Sequence, residues 1–115
     1  SQITISDQLF DSYRSGTDFV QKYIFPGGML ASPEAARRVA ESRGLTYAGS
    51  LEFGQCYSRT LREWFETFNT RWDEIAALGF DERFRRMWNF YLTSCAACFL
   101  NGTTDVTQMT LRKAA

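Results

Sequence analysis

Three cysteines, Cys56, Cys95 and Cys98, are the first candidates for chemistry, because Cys95 and Cys98 form a CxxC. A structural zinc site takes four nitrogen or sulfur ligands, and this chain offers no histidine and only one further cysteine. A redox pair needs its first thiol at a helix N-terminus, whereas SCAACF lies deep inside a helical pattern. The pair therefore reads as small buried side chains on a helix, and the odd cysteine count fits a reducing compartment. The lack of histidine also removes the Ser/His and Cys/His catalytic arrangements.

Charge excludes another class. Thirteen basic and thirteen acidic side chains cancel, so no basic footprint for nucleic acid is present. No apolar run is long enough to span a bilayer and no signal-peptide pattern opens the chain, so a soluble, cytoplasmic protein is expected. The distinctive number is 16% aromatic residues, ten of them phenylalanine. Such an excess implies either a dense core or a wide apolar pocket.

The elements that must position these groups follow from periodicity and caps. At 115 residues and 44% hydrophobic, one domain covering residues 1–115 is expected. Gln2-Ile3-Thr4-Ile5 is an abrupt strand-like stub, which predicts that the natural chain extends further upstream. Ser6 or Asp7 caps a helical stretch carrying Phe10 and Tyr13, and Ser15-Gly16-Thr17-Asp18 breaks and restarts it. The restarted turn carries Phe19, Val20, Tyr23 and Ile24.

Pro26 stops that turn, and Gly27 and Gly28 permit positive φ and a sharp reversal. A plain surface loop would be polar, yet Phe25, Met29 and Leu30 keep this one apolar. Ser32-Pro33-Glu34 is a strong helix start and Gly44 a stop, with Ala36, Val39 and Ala40 expected on the inward face against a sheet. Leu45, Tyr47, Gly49, Leu51 and Phe53 alternate as in a strand.

From Ser58 to Leu78, Leu61, Trp64, Phe65, Phe68, Trp72 and Ile75 form a stripe predicting one long amphipathic helix. A second, capped at Asp81 and ending at Asn101-Gly102, turns Phe84, Met87, Trp88, Tyr91, Cys95, Cys98 and Phe99 inward. Asp105 to Lys113 closes the chain as a strand. The order predicts an α/β arrangement in which paired helices are inserted before the final strand.

The blocks DFVQKYIFPGGMLASPEAARRVAESRGL, GQCYSRTLREWFETF, LGFDERFRRMWNFYLTSCAACF and DVTQMTL stand in one order. Together they resemble the C-terminal part of the cyclopropane-fatty-acyl-phospholipid synthases, a family of S-adenosylmethionine-dependent methyltransferases that includes the mycolic acid synthases. The resemblance covers nearly the whole chain. It implies the last three strands of a class I Rossmann-like methyltransferase fold, with the cofactor-binding half lying upstream, so that this piece alone is expected to bind no cofactor and to be inactive.

The implied reaction transfers the sulfonium methyl group to the cis double bond of a phospholipid acyl chain. A bound bicarbonate then takes a proton from the added methyl as the ring closes, a small held anion being better tolerated by a carbocation than a strong nucleophile. Tyr57 matches the family tyrosine whose hydroxyl helps hold bicarbonate; a phenol can donate to an anion while its ring faces an apolar chain. By itself a tyrosine at a strand-to-helix corner reads as core. Ile3 matches, in an uncertain register, an isoleucine whose backbone touches the anion, and the family cysteine and glutamate of that site lie upstream.

Phe25, Leu30, Leu61, Tyr91 and Cys95 match positions lining the acyl channel, so the IFPGG corner would form a channel wall. Burying an acyl chain gains about 0.8 kcal/mol per methylene, which implies a protein resting on the membrane surface. The RFRR cluster, residues 83–86, offers attraction to anionic headgroups or simply a solvated face. Bare sheet edges predict a homodimer or strand exchange. A non-catalytic acyl-lipid-binding or dimerisation module of the same fold is the competing reading.

Overall fold

The computed structural model describes residues 1–114 of the chain. Strand β1 (Gln2–Ile5) leads into helix α1 (Asp7–Ser15), a single π-helical turn (Val20–Ile24) and helix α2 (Pro33–Ser42). Strand β2 (Leu45–Glu52) is followed by helices α3 (Gly54–Thr70), α4 (Trp72–Ala77) and α5 (Glu82–Asn101), and strand β3 (Thr104–Lys113) completes the order. The expected succession of strand, helices, strand, paired long helices and strand is thus observed.

The last strand occupies the middle of the sheet. The order is β1-β3-β2, with β3 antiparallel to both neighbours, so β1 and β2 run in the same direction. Both edge strands are short or irregular: β1 has four residues, and β2 shifts register between Tyr47 and Gly49. Ala31 partly covers the outer edge of β1 through a parallel bridge to Thr4 and a 3.1 Å bond from the Ile5 amide. Such interruptions blunt edge pairing.

Period-2 geometry sorts the sheet's side chains between two layers. Val106 faces α3 and α5 and joins Leu61, Leu92, Ala96 and Phe99 in the main core. Thr107, on the opposite face, is fully buried and shares a 2.8 Å hydrogen bond with Thr4. Helix α2 packs against β2, its start fixed by the Ser32 hydroxyl accepting from the Ala35 amide.

Helices α3 and α5 form a hairpin that makes the molecule 54 Å long and only about half as wide. Apolar burial is supplemented by polar pins along its length. The buried Ser58 hydroxyl donates to the Ala96 carbonyl at 2.8 Å, and Asn69 and Asn89 exchange hydrogen bonds at 2.8 and 3.0 Å. Paired, partly buried amides between helices favour one register, because a slip breaks both bonds.

Several local expectations change. The predicted continuous helix from Ser58 to Leu78 starts earlier, at Gly54, and breaks at Arg71, whose φ of −99° and ψ of 20° leave the helical region. The break rotates Trp72 into a buried position against Phe68 and beneath the Arg85 guanidinium. Trp64 and Val39, expected inward, are exposed, since the stripes facing α5 and the sheet are narrower than periodicity alone suggests. Leu51 is exposed too, lying where the irregular edge strand loses cover.

Ser6 makes no capping hydrogen bond, and Asp7 instead accepts from the Glu34 amide at the start of α2, 3.0 Å away. Of the two glycines in the corner, only Gly27 has positive φ, at 78°. Gly28 serves by close approach: a Cβ there would lie 3.0 Å from the Phe25 carbonyl oxygen.

Candidate functional site: an apolar cavity between the corner and the helical hairpin

The corner is built in three steps. Asp18 and Gln21 cap the π-helical turn reciprocally, the Gln21 amide donating to Asp18 Oδ1 at 2.8 Å and the Asp18 amide to Gln21 Oε1 at 3.0 Å. The Phe25 amide then reaches back to the Val20 carbonyl at 2.8 Å, closing a π-type turn. Finally the Gly28 amide bonds the Phe25 carbonyl at 2.9 Å across Pro26-Gly27, with proline second and a positive-φ glycine third, as a type II turn requires. The Tyr13 hydroxyl ties the exit of the corner to α1 by accepting from the Leu30 amide at 2.8 Å.

This corner lies across from the α3–α5 hairpin, and between them is a cavity of about 340 Å³. That volume falls in the range of small-molecule sites. All seven residues singled out from the sequence line it: Ile3 from β1, Phe25 and Leu30 from the corner, Tyr57 and Leu61 from α3, and Tyr91 and Cys95 from α5. Tyr57 and Leu61 are one helical turn apart, as are Tyr91 and Cys95, so each pair presents one helix face to the same space. Phe25 and Tyr91 meet edge to face at 6.3 Å, where the corner touches the hairpin.

The cavity also takes in residues that sequence reasoning left out of the site. Ile5 and Phe99 line it, as do Cys98 and Thr104. Their signal was available in part: Ile5 is two residues along the strand from Ile3, and Cys98 and Phe99 are three and four from Cys95. Thr104 gave no signal, because nothing local says which face of the sheet meets the hairpin. Asp18 is the one charged residue lining the cavity among the described residues.

Tyr57 sits in the first turn of α3, and that turn is fixed from below. Asp105 on β3 accepts from the Gly54 amide at 2.7 Å and from the Val106 amide at 2.8 Å, placing a carboxylate at the positive end of α3. Gly54 is obligatory there, since a Cβ would lie 2.6 Å from Asp105 Oδ1. The Tyr57 ring is held edge-on by Phe99 at 4.9 Å and Trp64 at 5.9 Å.

Burial raises the pKa of the Tyr57 phenol, with a smaller contribution from Cys95, so the group is a neutral donor at physiological pH. Burial does the same to Tyr91. Cys95 is pushed up to about 11, chiefly by burial, and Cys98 is raised for the same reason. The nearby Asp18 carboxylate adds to the effect of burial on both thiols, which stay protonated and poorly nucleophilic. Among the described residues no group of three or more His, Cys, Asp or Glu side chains is placed to hold a metal ion.

An aromatic ladder of Phe80, Phe84, Trp88 and Tyr91 runs along α5 from the hairpin tip to the cavity, with centroid spacings of 4.5, 5.8 and 4.9 Å. Of the RFRR cluster, Arg85 turns inward, its guanidinium 5.1 Å from the Trp72 ring and bonded to Asn69. Arg83 and Arg86 remain exposed.

The model of the mycolic acid cyclopropane synthetases matches residues 2–109. The chain belongs to that family. It is 41% identical over 110 residues to the tuberculostearic acid methyltransferase UfaA1 of Mycobacterium tuberculosis, covering 95% of this chain and 26% of that protein. It is 40% identical over 83 residues to the cyclopropane-fatty-acyl-phospholipid synthase of Escherichia coli, covering 70% of this chain and 21% of the other.

The crystal structure of the mycolic acid cyclopropane synthase CmaA1 complexed with SAH and CTAB superposes with a TM-score of 0.82 at 27% identity, covering 97% of this chain and 42% of that one. The chain therefore spans about a fifth to a quarter of the two sequence relatives and 42% of the CmaA1 chain, and its fold is the three-stranded, helix-inserted C-terminal portion of the methyltransferase fold.

Its described residues do not fit a nucleoside cofactor. Such cofactors sit where a strand passes through a glycine-rich turn into a helix. Here β1 enters α1 through Ser6, and β2 enters α3 through Phe53 with a single glycine already filled against Asp105. In the cavity wall the Tyr57 phenol is a neutral hydrogen-bond donor, while Thr104 Oγ1 is shielded and has no partner among the described residues.

Proposed function

We propose that this chain forms the acyl-chain-binding part of an S-adenosylmethionine-dependent methyltransferase that modifies the cis double bond of phospholipid acyl chains, with bicarbonate as the base. The observation that carries this reading is the convergence of Ile3, Phe25, Leu30, Tyr57, Leu61, Tyr91 and Cys95 on one apolar cavity. Family membership supports methyl transfer, and the names of the relatives support a lipid substrate.

The chain's own residues would act as follows. Phe25, Leu30, Leu61 and Tyr91 hold the hydrocarbon and exclude water, which would otherwise trap a carbocation. Cys95 and Cys98 present protonated thiols instead of thiolates to that cation. Tyr57 would hold a bicarbonate by a hydrogen bond from its hydroxyl while keeping its own proton, and the anion when bound would supply the base for the proton lost from the added methyl group. The described residues offer no cofactor cradle, so this stretch by itself is proposed to be inactive.

Peripheral membrane contact, a cytoplasmic location and a homodimer complete the proposal. No helix among the described residues is long and apolar enough to cross a membrane. The second reading is a lipid-binding or dimerisation module without chemistry, which would use the same apolar cavity. Incubating the whole protein with S-adenosylmethionine and unsaturated phospholipid vesicles decides between them. Gas chromatography of the released acyl esters should show a product one carbon heavier, and Tyr57→Phe should lose most of it, with partial recovery in excess bicarbonate. Lipid binding without any such product would favour the module, and Tyr57→Phe turnover equal to wild type at low bicarbonate would remove Tyr57 from the mechanism.

A further inference from the structure

Formal charge in the cavity lining has one sign and one source. Asp18 is the one charged side chain there among the described residues, and the other ionisable groups, on Tyr13, Tyr57, Tyr91, Cys95 and Cys98, are neutral while protonated. Asp18 enters no salt bridge among the described residues. Lys22, on the same turn, lies over the Tyr23 ring at 5.2 Å and outside the lining.

Asp18 is exposed as well as cavity-lining, which puts its carboxylate at the opening. Its Oδ1 accepts from the Gln21 amide at 2.8 Å and is thereby fixed, while Oδ2 has no partner among the described residues. Capping this turn does not call for a charge, because asparagine caps as well as aspartate. The charge is nevertheless felt on the opposite wall, where it adds to the raised pKa of Cys95 and Cys98. Behind the opening, Phe25, Leu30 and Leu61 offer a hydrocarbon tail apolar contact.

We propose that Asp18 is a specificity-determining residue, through which the cavity takes an amphiphile with an ammonium head in preference to one of equal length with a carboxylate head. The inference rests on the reading of this cavity as a hydrocarbon-chain site and names the head-group charge that such a chain carries. With the tail inside, the ammonium stands beside the Asp18 carboxylate at the opening. A carboxylate head in the same place meets like charge and no compensating cation. Because Asp18 is exposed, water and salt screen it, so the preference is modest.

The test binds diphenylhexatriene, a neutral apolar rod, to the whole protein and displaces it with dodecylammonium, dodecanol or dodecanoate below their micelle-forming concentrations. At about pH 7.5 the amine is charged and the acid ionised. Asp18→Asn keeps the capping bond and removes the charge. The expected result is a ratio of dodecylammonium to dodecanoate affinity at least threefold lower in Asp18→Asn than in wild type, with dodecanol binding unchanged. An unchanged ratio, with dodecanol still displacing the probe, overturns the role of Asp18 and leaves the chain site intact. An equal loss of affinity for all three chains shows that Asp18 serves only as a cap, and also overturns the proposal. Failure of every chain to displace the probe from wild type overturns the chain site and the proposal together.

Discussion

The two walls of the cavity are built on different principles. The hairpin wall is packed: Leu61 and Leu92 are 2% exposed, and Ser58, Asn69 and Asn89 fix the helices against each other. The corner wall is tied: Phe25 and Met29 are 56% and 61% exposed, and backbone hydrogen bonds, proline and a positive-φ glycine hold the shape. A packed wall resists change because every side chain has neighbours on all sides. A tied wall presents bulky groups with space around them, which lets it receive an apolar chain of varying shape. One rigid wall and one adaptable wall suit a ligand that slides lengthwise.

Substitutions test that contrast. Leu61→Ala removes a fully buried side chain from the packed wall, and chemical denaturation should show a loss of about 2–5 kcal/mol. A loss below about 1 kcal/mol would mean that this wall is as loose as the corner. Gly54→Ala forces a Cβ onto Asp105 and should cost about 1–3 kcal/mol while displacing the start of α3. It should also change Tyr57 more than Tyr91, which aromatic NMR shifts would reveal.

Tyr13→Phe removes the acceptor for the Leu30 amide and should cost about 1 kcal/mol, with faster hydrogen exchange confined to the corner. Exchange that also rises in α5 would show the two walls to be one cooperative unit. Phe25→Ala should scarcely alter stability, because the ring is largely exposed, yet weaken binding of a fluorescent polyene fatty acid by about fivefold. Unchanged binding would remove the corner from the cavity's function.

The last expected effect is electrostatic and is confined to high pH. The Cys95 thiol loses its proton near 9.0 when unperturbed and near 11 in the fold, so the folded state disfavours the thiolate. Its contribution to stability is complete below pH 9 and is lost as pH rises from there toward 11. Urea midpoints should fall across that window, less steeply in Cys95→Ala. An identical slope would place the thiol in a more open wall than the structure indicates.

Chain-local chemistry was enough to specify the caps at Ser32 and Asp81, the turn at Pro26-Gly27 and the helix stops, since each is an interaction within four residues. The stripes on α3 and α5 were also legible, because helical periodicity repeats along the chain. What failed was the width of each buried face. Trp64 and Val39 carry apolar side chains at the correct spacing and are exposed, since their burial depends on what lies opposite. The break at Arg71 escaped for the same reason, its gain being the distant contact of Trp72 with Arg85.

By itself, then, the sequence determined the elements, their order, their family resemblance and seven residues that meet in one place. Only the tertiary structure decided that β3 runs between β1 and β2, that Asp105 seats the first turn of α3, and that Thr104 joins the cavity wall. Periodicity records which side of an element is apolar, a local property. Sheet order and the face a strand turns to a distant helix are set by contacts spanning fifty residues or more, such as that between Gly54 and Asp105, with no trace in local spacing.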